Sequence, residues 1–68
     1  MFVLQANDSF ETKEYLESWD YENGECIGFS YTDKLGEAKS YTTLQDAWED
    51  LRDHGFEINF MIEEVDGG

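Results

Sequence analysis

Cys26 and His54 are the single thiol and the single imidazole of the chain, so nucleophilic chemistry on this sequence reduces to one question. A nucleophile–base dyad requires the two to meet within hydrogen-bond reach. Cys26 follows a hairpin signal and His54 stands at a helix end, which favours plainer roles: a small buried thiol, and a C-terminal helix residue that complements the helix dipole. Carboxylates present the opposite difficulty. With 17 Asp and Glu, any acid–base spacing occurs somewhere, and catalysis needs a pair whose environments separate their pKa values. No Cys/His cluster has zinc spacing. The run Asp20-Tyr21-Glu22-Asn23-Gly24 sets acids beside a glycine but lacks the EF-hand spacing and its terminal Glu, and no Gly-rich phosphate loop is present. These residues imply neither an enzyme nor a cofactor nor a metal.

The carboxylates carry information in their pattern. Asp46, Glu49, Asp50 and Asp53 fall at i, i+3, i+4, i+7, one stripe of a helix. Like charges at i,i+4 cost about 0.2 to 0.5 kcal/mol each. Asp50 and Asp53 also sit near the negative end of the helix dipole, unfavourable by roughly 0.3 to 1 kcal/mol. Folding alone does not select such an arrangement. The spacing of these four acids, about 4.5 to 6 Å of axial rise between neighbours, is comparable in scale to an array of phosphates. A second acidic set, Glu14, Glu17, Asp20 and Glu22, with Asp8, Glu11 and Glu25, is expected to lengthen that array. The plainer reading is a solvated, solubilising face.

The helix that positions the stripe is signalled at both ends. Leu44, Ala47, Trp48 and Leu51 form an apolar stripe on the face opposite the acids. Thr43 is the N-cap, with Asp46 three residues on as in a capping box, and Gly55 supplies a left-handed terminus. The expectation is a helix from Thr43 to His54 whose apolar stripe faces the core and whose acidic stripe faces outward.

Before it, Phe2-Val3-Leu4-Gln5-Ala6 reads as a strand closed by a turn at Asn7-Asp8-Ser9. Asp8 with Glu11 also matches a capping box, but the Asn23-Gly24 hairpin signal calls for an extended arm on its N-terminal side, so a strand is expected from about Lys13. A type I′ turn at Asn23-Gly24 places Glu22 opposite Glu25, Tyr21 opposite Cys26, Trp19 opposite Gly28 and Leu16 opposite Tyr31. One face then holds Leu16, Ile27, Phe29 and Tyr31. The other gathers Tyr15, Trp19 and Tyr21, as an aromatic interaction surface or a second small core. Residues 32–42 read as a connection in which Leu35 and Ala38 face the core. After Gly55, the alternation of Phe56, Ile58, Phe60 and Ile62 with Glu57, Asn59, Met61 and Glu63 indicates a half-buried strand. The order is β-β-β-α-β: one α+β domain over residues 1–68, a small antiparallel sheet of three to four strands with one helix on one face.

Size and charge bound the function. A chain of 68 residues is near the lower limit for folding without disulfides or metals, although two Trp, five Phe and four Tyr make a core feasible. The formal charge of −13 repels nucleic acids and anionic membranes and favours a basic partner. A lone cysteine suits a reducing cytosol, and the N-terminus carries neither a signal-peptide pattern nor a membrane span, so a cytoplasmic protein is expected.

Tyr15-Leu16, Thr32-Asp33, Ala38-Lys39-Ser40-Tyr41, Thr43, Ala47, Leu51 and Gly55 together resemble a pattern in small proteins of bacteriophages and other mobile elements. In acidity the chain is similar in character to phage DNA-mimic inhibitors, some anti-CRISPR proteins among them. That resemblance implies a non-enzymatic inhibitor in the cytoplasm of a bacterial host. It would occupy the basic nucleic-acid-binding site of a defence protein and bind no nucleic acid itself. Two other readings compete: an interaction or self-association module using Tyr15, Trp19 and Tyr21, and a ubiquitin-like or sulfur-carrier protein, which Gly67-Gly68 resembles. The latter folds usually place their helix after the first hairpin and several strands beyond it.

Overall fold

A computed structural model describes residues 1–7 and 12–65. The Asp8–Glu11 capping box and the Gly67-Gly68 tail lie outside the described residues. The strands are β1 (Phe2–Ala6), β2 (Tyr15–Glu22), β3 (Glu25–Thr32), β4 (Ser40–Tyr41) and β5 (Phe60–Glu64), with one helix, α1 (Leu44–His54), between β4 and β5. The fold is α+β, a single antiparallel sheet with one helix. β1 is its centre. It pairs with β5 along its whole length, from Phe2↔Glu64 to Ala6↔Phe60. It also meets β2 at Gln5↔Tyr15 and β4 at Phe2↔Tyr41 and Val3↔Ser40, while β3 extends the sheet beyond β2. Among the described residues the helix comes after four strands and one strand follows it, unlike the ubiquitin-type order.

The β2–β3 hairpin turns at Asn23 (φ 53°) and Gly24 (φ 82°), the left-handed pair that the Asn-Gly signal requires. Glu22↔Glu25, Tyr21↔Cys26 and Leu16↔Tyr31 pair as the turn alone dictates, yet Trp19 lies opposite Phe29, not Gly28. Two bulges account for this. An extra residue on β3, Ile27, shifts the register after Tyr21↔Cys26, and an extra residue on β2, Glu17, shifts it back before Leu16↔Tyr31. Each bulge reverses the alternation of the strand carrying it. Leu16 and Trp19 therefore share the helix face, and both belong to the core. The two faces expected from simple alternation are corrected accordingly. Ile27 is exposed, whereas Trp19 and Tyr21 point toward the helix; Tyr15 packs on the reverse side of the sheet, where it is buried, as its partner Thr32 is.

The core joins Leu4 and Ala6 of β1, Leu16 and Trp19 of β2, Ala47 and Leu51 of α1, and Phe60 of β5. α1 ends as its sequence indicates. Thr43 Oγ1 accepts from the Asp46 N–H at 3.1 Å. At the other end Gly55 (φ 78°) sends its N–H to Arg52, and Phe56 sends its N–H to Leu51, the paired bonds of a Schellman terminus.

The chain after Gly55 departs from the expected strand. Residues 57–59 form a turn, with the Asn59 N–H bonded to the Phe56 carbonyl, so β5 starts only at Phe60 and Ile58 is left 87% exposed. Having just closed a helix, the backbone must reverse before it can enter the sheet. In the 32–42 connection, Thr32 donates to Glu37 and accepts from the Lys34 N–H around a short 3₁₀ turn, Leu35–Glu37. Leu35 stays exposed there, and the chain then adds β4.

Candidate functional site

The acidic helix stripe does not face one way. Asp46 and Asp53 are exposed, and Glu49 is half-buried and accepts from the Gln45 side chain at 3.1 Å. Asp50 turns inward. Its Oδ2 accepts from the Trp19 indole N–H at 2.8 Å and from the Tyr41 hydroxyl, and its Oδ1 lies 3.4 Å from His54 Nδ1. Of the second acidic group, Glu14, Glu17 and Glu22 are exposed, while Asp20 is half-buried and accepts from the Ser30 hydroxyl at 3.2 Å. Asp20 neighbours the inward Trp19 and so belongs to the reverse face of the sheet. Asp20 and Glu22, on either side of the inward Tyr21, thus lie across the sheet from the helix acids and do not continue their stripe. Asp8 and Glu11 lie outside the described residues. Few cations offset these acids: among the described residues the only lysine in an ion pair is Lys13, 3.3 Å from Glu63.

Asp50 ties three elements together, reaching Trp19 on β2, Tyr41 on β4 and His54 on its own helix. Burial pushes its carboxyl up, but the hydrogen bonds from Tyr41 and Trp19 and the nearby His54 outweigh that, and the group is held below the usual carboxylate range. Tyr41 shows the reciprocal effect: burial and donation to the Asp50 anion push its phenol well above its ordinary value. His54 completes the network. Its Nδ1 donates to the Asp50 carbonyl at 2.7 Å, Nε2 meets the Tyr21 hydroxyl, and its ring stacks on Trp19 with centroids 4.1 Å apart. Phe56 also stacks on Trp19, and Phe29 and Phe60 meet it edge-on.

The order Asp50–His54–Tyr21 has the outline of a proton relay, but Tyr21 is not an activated hydroxyl. Desolvation, then the nearby Cys26 and Asp50, raise its pKa, whereas a nucleophile needs it lowered or its proton removed by a free base. His54 Nδ1 donates to the Asp50 carbonyl and its Nε2 meets the Tyr21 hydroxyl, while the Cys26 thiol donates to the Gly28 carbonyl at 3.4 Å and not to His54. These contacts favour a structural clasp. Of the expected aromatic surface, Trp19 and Tyr15 are buried and only Tyr21 is exposed. Among the described residues no group of three His, Cys, Asp or Glu could hold a metal ion, and no helix is long and apolar enough to cross a membrane.

The inward turn of Asp50 has a counterpart on the other flank of α1. Leu44 and Trp48 are 56% and 45% exposed. With Gln45 and Ile62 of β5 they line an open apolar groove of about 520 Å³. Relative to the apolar stripe of its sequence, the covered side of the helix is shifted toward Asp50 and His54, leaving Leu44 and Trp48 exposed. Tyr41 and Ile62, the residues that complete these two flanks, carry no local signal for the roles they take. No known family model, curated protein or solved structure matches the chain.

Proposed function

We propose that the protein works by binding, as an acidic inhibitor that occupies a basic nucleic-acid-binding site on a partner protein. A defence protein such as a CRISPR effector is the kind of target its phage-like character suggests. The observation that carries this reading is a formal charge of −13 on 68 residues, with Asp46, Asp53, Glu14, Glu17 and Glu22 all exposed. Surface carboxylates without counter-charges repel one another and favour a cationic surface. Asp50 is set apart from this role by its hydrogen bonds to Trp19 and Tyr41. Asp46, Glu49 and Asp53 form the primary contact set, and Glu14, Glu17, Asp20 and Glu22 a separate one.

The test is competition. Titrated into complexes of duplex DNA with CRISPR effectors and other basic DNA-binding proteins, the protein should displace DNA from its target, less effectively as salt rises because exposed charges are screened over about 8 Å at 0.15 M. The triple variant Asp46→Asn/Glu49→Gln/Asp53→Asn should keep the fold and displace far less DNA. Equal displacement by the variant would remove the helix acids from the mechanism. Displacement insensitive to salt would remove the electrostatic reading itself.

A further inference from the structure

Beside the groove of Leu44, Trp48 and Ile62 runs a sheet edge, and the two features point to the same occupant. The phase of the β1–β5 ladder shows which backbone groups are free there. The Val65 N–H bonds to the Met1 carbonyl, and the Asn7 N–H bonds to the Asn59 carbonyl. In an antiparallel pair these bonds recur at every second residue. Residues 59, 61, 63 and 65 therefore face β1, and the N–H and C=O groups of Phe60, Ile62 and Glu64 face away from it. The Ala6 N–H, which bonds across to Glu14 on the β2 side, confirms the same phase on β1. Among the described residues β5 pairs only with β1.

An open edge of this kind accepts another strand. The side chains of Phe60, Ile62 and Glu64 share the helix face, so alternate side chains of a strand added to β5 would lie over the groove. A second copy of this chain brings another charge of −13 to the contact, which opposes self-pairing. A cationic segment is attracted by the same field.

We propose that the groove between α1 and the outer edge of β5 takes an extended, cationic segment of the partner protein, which pairs with the backbone of Phe60, Ile62 and Glu64 and seats an apolar side chain against Leu44, Trp48 and Ile62. This rests on the acidic-inhibitor reading and adds to it a source of specificity that charge alone does not provide. The partner is then recognised by a basic strand with an apolar residue at alternating spacing.

Two synthetic peptides of equal length and charge provide the test: one alternating Lys and Leu, the other alternating Lys and Ser. The Lys/Leu peptide should bind roughly ten- to a hundredfold tighter, the gain from burying one Leu-sized side chain. It should also slow hydrogen exchange at the Phe60, Ile62 and Glu64 amides and shift the fluorescence of Trp48. Leu44→Ser/Trp48→Ser should bring its affinity down to that of the Lys/Ser peptide. If that variant does not fold, exchange in the unaltered protein still decides. Equal affinities for the two peptides, unchanged exchange at those three amides, or a β5 edge occupied by a second copy in solution would overturn the groove assignment while leaving the acidic reading intact. Failure of both peptides to bind even at low salt would overturn both readings.

Discussion

The two flanks of α1 invert what their residue types suggest. On the flank facing β2 and β4 a carboxylate, Asp50, is drawn toward the core and held by Trp19, Tyr41 and His54. On the flank facing β5 two large apolar residues, Leu44 and Trp48, remain open to solvent. The difference lies in what each neighbouring strand brings to the helix. β2 and β4 present an indole N–H and a phenol that need an acceptor once covered, and Asp50 supplies both acceptor sites on one oxygen. Leaving such donors unpaired costs about 1 to 3 kcal/mol each, comparable to the gain from burying a large apolar side chain. The helix rolls toward the hydrogen bonds, and the apolar residues on the other side are left for another surface to cover.

Breaking the closed flank should give the largest effect. Asp50→Ala leaves the Trp19 and Tyr41 donors without their acceptor and should destabilise by about 2 to 4 kcal/mol. At roughly 4 to 8 °C per kcal/mol for a domain of this size, a thermal melt resolves it easily. A melt indistinguishable from that of Asp53→Ala would mean the clasp contributes nothing.

Tyr41→Phe should cost less, about 1.5 kcal/mol, since the Trp19 bond remains. It also tests the acid limb. The Asp50 carboxyl is held below its unfolded value in the folded protein. Its contribution is therefore present above about pH 4, the unfolded aspartate range, and is lost as pH falls through the folded pKa. Removing the Tyr41 donor raises that folded pKa toward the unfolded value, so the acid-dependent loss of stability should be smaller in the variant and complete at a higher pH. Melts recorded from neutral pH downward, with the Asp50 carboxyl followed by NMR, measure both effects.

On the open flank, Leu44→Gln should change stability by less than about 0.5 kcal/mol, as expected where a side chain is mostly in water. A cost comparable to that of Asp50→Ala would show that the groove is filled and the two flanks are alike. The smallest effect belongs to Asp53→Asn, which relieves repulsion with Glu49 and with the negative end of the helix and should raise stability by a few tenths of a kcal/mol. A measurable loss would place Asp53 in a contact resembling that of Asp50.

Features fixed by neighbouring residues are legible in the chain. Phe2–Ala6, the Asn23-Gly24 turn and the helix ends at Thr43 and Gly55 each depend on residues within a few positions of one another, and the structure has all of them. The face of Trp19 was not legible, because the bulges at Ile27 and Glu17 cancel. The register at both ends of the hairpin is that of an unbulged one, while the side chains between them are reversed. The start of β5 is not legible either, because the alternation of Phe56 and Ile58 with Phe60 continues through a turn that follows the helix terminus.

By itself the sequence determined the kinds of elements, their order and the large unbalanced negative charge, since propensity, capping and charge are properties of short stretches and of composition. Only the tertiary structure decided which of the four carboxylates of the stripe became internal and which half of the apolar stripe stayed outside. The roll of the helix depends on donors 31 and 9 residues away from Asp50 in the chain, at Trp19 and Tyr41. Helical periodicity specifies that there are two faces, and only the partners across the sheet specify how they are turned.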